Sequence, residues 1–149
     1  MHPFDLKSAL LAKHAQHVVL IHFPIALFLM GFLFDLLAQR TKNAALAVVA
    51  YYNLIAAALF TVPVLLTGLL AWQFVLGGHK LKGILLDHLV LAVTTSVLLW
   101  LIAWIHFRAK RSSAENLPLF RLPLEFFATA LITLTGHLGG FLSGANLSN

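Results

Sequence analysis

Apolar residues fall in long blocks along this chain, and short polar clusters separate them. Between Val18 and Phe34 nothing is charged, and His22 is the only titratable side chain. From Ala44 no Asp, Glu, Lys or Arg occurs until Lys80. A third block runs from Ile84 and a fourth from about Leu119. Several of these blocks reach the roughly 18–20 residues that a helix needs to cross a bilayer. The pattern predicts an all-α fold, an integral membrane four-helix bundle formed by a single domain over 1–149. The spans are expected at about 17–39, 44–76, 84–107 and 119–140. Before them, Asp5, Lys7, Lys13 and His14 alternate with Leu6, Leu10 and Leu11. That mixture predicts a short N-terminal interfacial helix.

The polar clusters mark the turns. Arg40, Thr41, Lys42 and Asn43 end the first span, and Arg40 or Lys42 is the expected partner of Asp35. At about 1.5 Å per residue the second block exceeds a roughly 30 Å hydrocarbon core, so it must tilt, kink or extend beyond it. Pro63 is the natural kink, Trp72-Gln73 suits an interfacial belt, and Gly77-Gly78 breaks the helix. The third span closes on Arg108, Lys110 and Arg111, after Trp100 and Trp104. Arg121, Pro123 and Glu125 crowd the start of the fourth. Asp35, Glu125 and Arg121 are therefore expected at one end, as a structural charge cluster.

Composition narrows the function. The chain of 149 residues is 60% hydrophobic and 10% charged, with a formal charge of +5 and no cysteine. A soluble domain carries roughly a quarter charged residues. The lack of cysteine excludes disulfides, thiolate metal sites and covalent c-type haem. The basic residues lie between apolar blocks and do not form a face with interleaved aromatics, so no nucleic-acid partner is expected. No nucleophile-elbow, Walker or dinucleotide pattern occurs. Residues 2–17 do not read as a cleavable signal, because no small-x-small site follows the apolar run promptly.

Histidine is abundant, with eight residues. His22, His88 and His137 each fall about one turn inside the same end of three different spans, roughly 6–8 Å below the interface by helical rise. His17 and His79 lie just above that layer. Pro24, lacking an amide hydrogen, frees the carbonyl of Leu20 beside His22. His106 falls at the opposite end and is expected at the interface. Ionisable side chains at membrane depth are usually paired or functional. Two of His22, His88 and His137, with His22 and His137 favoured, are candidate axial ligands of a non-covalent haem b. Such a site would serve electron transfer, with a redox protein or a quinone as partner. Three imidazoles at one depth also suit copper or zinc. A third reading is a non-catalytic accessory subunit of a larger complex or a small transporter, its histidines bonding between helices or relaying protons. A homo-oligomer fits any of the three. Gly136, Gly140 and Gly144 form a helix-packing seam or leave room beside His137 for a flat macrocycle. Phe23, Phe126, Phe127 and Phe141 either wall that pocket or face lipid.

His22-Phe-Pro-Ile-Ala-Leu27 and Gly136-His-Leu-Gly-Gly140, with His2-Pro3 near the start, carry a family resemblance. Together they resemble the bacterial four-helix membrane family known as domain of unknown function 2231. The resemblance implies a small four-helix integral membrane domain in which His22, His88 and His137 match recurrent histidines. Members found beside or fused to redox modules make a haem role the implied one. An acidic residue usually follows the tryptophan where this chain has Trp72-Gln73. The expected location is the bacterial inner membrane. Arg40, Lys42, Arg108, Lys110, Arg111 and Arg121 outnumber Lys7, Lys13, Lys80 and Lys82, which predicts periplasmic termini.

Overall fold

The computed structural model describes residues 13–112 and 117–143, and every regular element among them is helical. Five helices follow in order: α1 (Lys13–Leu20), α2 (His22–Thr41), α3 (Ala44–Phe74), α4 (Ile84–Arg111) and α5 (Arg121–Leu142). Four stretches are long and apolar enough to cross a membrane: Gln16–Thr41, Ala44–Phe74, Ile84–Arg111 and Arg121–Leu142. The protein is a multi-pass membrane protein built as the expected all-α four-span bundle.

The helix ends follow from local chemistry. α2 stops where Lys42 takes a left-handed conformation at φ 57°. Asn43 then caps α3, its Oδ1 accepting from the amides of Ala45 at 2.9 Å and Leu46 at 3.4 Å. This satisfies donors that a helix N-terminus leaves bare. α3 runs unbroken through Pro63 for 31 residues. Gly77 and Gly78, both at positive φ, turn the chain back. α4 is 28 residues long and ends at Arg111, one turn beyond the expected Phe107. The first span lies where it was expected, over Gln16–Thr41. α1 and α2 meet at Ile21, which keeps α-helical angles and whose amide donates to His17 O at 3.1 Å. Pro24 removes the amide that would bond to Leu20 and leaves that carbonyl without its helical donor. The expected interfacial helix over 1–16 lies mostly outside the described residues. The part that is described, from Lys13, continues as α1 and packs on α3 through His17.

The core is narrow and built from small residues. Ala57, Ala58, Ala103 and Ala128 are buried with Phe28, Leu54, Leu99, Ile102 and Ile132. α2 and α3 approach most closely at Gly31, where a Cβ would lie 2.9 Å from Leu54 Cδ2 and 3.2 Å from Leu54 N. Lipid offers no hydrophobic drive for helices to associate, so this close van der Waals contact is what holds spans together. Large apolar side chains such as Leu59, Leu66, Val97 and Phe126 point outward, as a bilayer allows.

Candidate functional site: a histidine-lined cavity

α1, the start of α2, the first half of α4 and the later halves of α3 and α5 line an open cavity of about 480 Å³. That size lies within the roughly 300–1,000 Å³ of small-molecule and cofactor pockets. His17, His22 and His88 line it. Thr61, Thr95 and Thr135 also line it, but their hydroxyls turn to protein acceptors. Thr61 Oγ1 donates to Ala58 O at 2.7 Å, and Thr135 Oγ1 donates to Leu131 O at 2.7 Å. Thr95 Oγ1 pairs with Thr135 Oγ1 at 3.2 Å.

All three imidazoles are held in the same manner. His22 Nδ1 donates to Val18 O at 2.8 Å, His88 Nδ1 to Thr135 O at 3.1 Å and His17 Nδ1 to Val64 O at 3.1 Å. A carbonyl oxygen only accepts, so Nδ1 carries the proton in each ring. In a neutral imidazole that leaves the lone pair on Nε2, the arrangement that prepares a histidine for a metal. His22 reaches back one turn along its own span to Val18, not to the freed carbonyl of Leu20.

Glycine makes room for the other two rings. A Cβ on Gly139 would lie 3.1 Å from His88 Cε1, and one on Gly68 would lie 3.0 Å from His17 Cε1. Gly136, Gly139 and Gly140 all line the cavity. Across the mouth, Trp72 Nε1 donates to His79 O at 2.9 Å and ties the α3–α4 loop to the helix.

His137 is placed elsewhere. It is exposed on the outward face of α5. There it borders a surface groove with Phe126, Thr129, Ala130, Thr133 and Leu134. Its ring meets Phe141 edge-on at 4.9 Å. Of the favoured pair, His22 therefore lines the cavity and His137 lies on the other side of α5. His88 shares the cavity with His22. Among the four candidate wall aromatics, Phe23, Phe126, Phe127 and Phe141 are exposed, and Phe23 stacks on Phe60 at 5.0 Å.

The opposite end of the bundle is closed by charge. The Arg121 guanidinium donates to both oxygens of Asp35, at 2.7 Å and 3.3 Å, and to Gln39 Oε1 at 3.0 Å. It also donates to the carbonyls of Leu117 and Pro118, at 3.4 Å and 3.2 Å. These bonds occupy its full set of N–H donors. Asp35 thus pairs with Arg121 across the bundle instead of with Arg40 or Lys42, because it faces the core and those two residues are exposed. His106 is buried and bonds Glu125 Oε1 at 2.8 Å. It is not an interfacial residue. In the α4–α5 hairpin it lies about as far from the end of α4 as Glu125 lies from the start of α5, which brings the two level.

The family profile described as "Predicted membrane protein (DUF2231)" matches residues 13–145. The chain belongs to this family. No curated protein and no solved structure matches it. Within this DUF2231 chain, two features were missed by reading the sequence. His17 was placed above the histidine layer, although its Nδ1 also lies 3.3 Å from Thr67 Oγ1. The signal was Thr67, a polar side chain in an otherwise apolar stretch of α3. The second is Asp35, His106 and Glu125. Among the described residues this is the one set of three metal-type donors whose atoms all lie within 4.8 Å of one another. His22, His88 and His137 form no such set.

Proposed function

We propose that this DUF2231 protein is a b-type haem protein that takes part in electron transfer in the bacterial inner membrane. The observation that supports the reading is the cavity itself. Two imidazoles from different spans, His22 and His88, line one mostly apolar space with their Nδ1 atoms tied to carbonyls. The donor set fits the group. Neutral imidazole Nε2 is a haem ligand, and no cysteine is present for covalent attachment. Bis-imidazole ligation would supply one-electron chemistry at the iron and leave no axial position for oxygen.

The protein's own groups have separable tasks. The carbonyls of Val18 and Thr135 fix the tautomer and aim of His22 and His88. Gly139 lets His88 stand against α5. The positive-inside rule puts the α2–α3 and α4–α5 loops in the cytoplasm and both termini in the periplasm. The cavity then sits in the periplasmic half, within reach of a quinone or a redox protein. Copper or zinc on His22, His88 and His137 is the weaker reading, since His137 faces away from the other two.

The test is the ultraviolet–visible spectrum of detergent-purified protein from cells supplied with haem precursor, oxidised and then reduced. A Soret band with sharp reduced α and β bands, lost in His22→Ala and in His88→Ala and kept in His137→Ala, supports the proposal. A featureless spectrum removes it. Bound copper or zinc without a Soret band would support the metal reading. Neither, with co-purification of larger partners, would support an accessory subunit or small transporter.

A further inference from the structure

The charged cluster at the far end has one feature that the bundle does not explain. Glu125 is fully buried, and its Oε2 has no hydrogen-bond partner. Each charged or polar neighbour can be named. From α2 come Asp35 and Gln39, from α4 His106, and from α5 Arg121 one turn before Glu125. The titratable side chains of α3 are Tyr51 and Tyr52, and their rings instead lie beneath the Lys110 ammonium at 4.0 Å and 4.5 Å. Two carboxylates thus face one guanidinium. If both are ionised and His106 is neutral, the buried cluster carries one excess negative charge.

An uncompensated charge in a low-dielectric interior is strongly disfavoured, and such a site takes up a compensating charge or neutralises. Three features decide which. Asp35 has both oxygens on Arg121, so it is committed to that pair. A divalent ion would overshoot, turning the deficit into an excess positive charge beside the guanidinium. His106 Nε2 and Glu125 Oε1, at 2.8 Å, already share a hydrogen-bonded proton, and one more added to the pair brings the cluster to neutrality. We infer that the His106–Glu125 pair, held level by the Asp35–Arg121 clamp, is a proton-binding site inside the membrane-spanning bundle that takes up and releases one proton. Uptake either protonates the carboxylate or converts the imidazole to imidazolium. No electron moves, and the site does not depend on what fills the histidine cavity.

The test is a pH titration of the full chain in nanodiscs, followed by infrared difference spectroscopy with ¹⁵N-histidine labelling. The wild type should show one reversible carboxyl or imidazole protonation that is absent from Glu125→Gln and from His106→Gln and unchanged in Asp87→Asn, an exposed carboxyl of α4. Glu125→Gln keeps the shape of the side chain and an oxygen acceptor for His106, so it reports even if His106→Gln fails to fold. Titrations identical in wild type and Glu125→Gln would overturn the assignment. So would a stoichiometric metal ion in the wild type that Glu125→Gln releases.

Discussion

The two ends of this bundle solve the problem of polar groups in a membrane in opposite ways. At the histidine end, each imidazole is tied by Nδ1 to a backbone carbonyl within an open cavity. At the Arg121 end, buried charged side chains pair mainly with one another. The first arrangement keeps the Nε2 atoms of His22 and His88 out of those carbonyl bonds. The second uses nearly every donor and acceptor internally. A region that satisfies its polar groups through the backbone keeps its side-chain chemistry for something else. A region that consumes its side chains in mutual pairing is fixed in place, and there one leftover atom, Glu125 Oε2, carries the information.

The comparison breaks most severely at the closed end. Arg121→Leu strands the Asp35 carboxylate in the interior, and removing one partner of a buried pair costs about 3–5 kcal/mol. Thermal unfolding in detergent should show that loss, while Asp35→Leu/Arg121→Leu together should be less damaging than Arg121→Leu alone. A smaller loss is expected between the two ends. Gly31→Ala puts a Cβ against the Leu54 side chain and backbone. Overpacking of that kind costs about 1–3 kcal/mol, read from the same melt.

The open end should respond in occupancy more than in stability. Gly139→Leu fills the space that His88 uses. Its melt is expected to stay within about 1–3 kcal/mol of wild type while the haem signal is lost. Retention of the full Soret band in Gly139→Leu would place the cofactor elsewhere. The smallest effect belongs to His137→Ala on the outward face, within about ±0.5 kcal/mol and without spectral change.

The four spans were legible because lipid imposes a simple rule on composition, and the polar turns between blocks set their ends to within a few residues. The charge cluster was legible as a set, from Asp35, Arg121 and Glu125 sharing one end. Its pairing was not. Sequence spacing favoured the near neighbours Arg40 and Lys42, and only the rotation of α2 shows that Asp35 faces inward. The same unknown, helix rotation, left the directions of His22, His88 and His137 open. Depth follows from counting residues, whereas facing follows from packing. His17 was missed for the same reason: only packing shows that it turns toward α3.

The Asp35–Arg121 pair joins residues 86 positions apart. During synthesis Asp35 enters the bilayer with the first span, and its counter-ion does not exist until the last one emerges. His106 arrives in between, also ahead of Glu125. The three-span nascent chain therefore carries an unmatched acid at membrane depth, and only the arrival of α5 retires it. A chain that stops before Arg121 keeps that acid without the partner it has in the finished bundle.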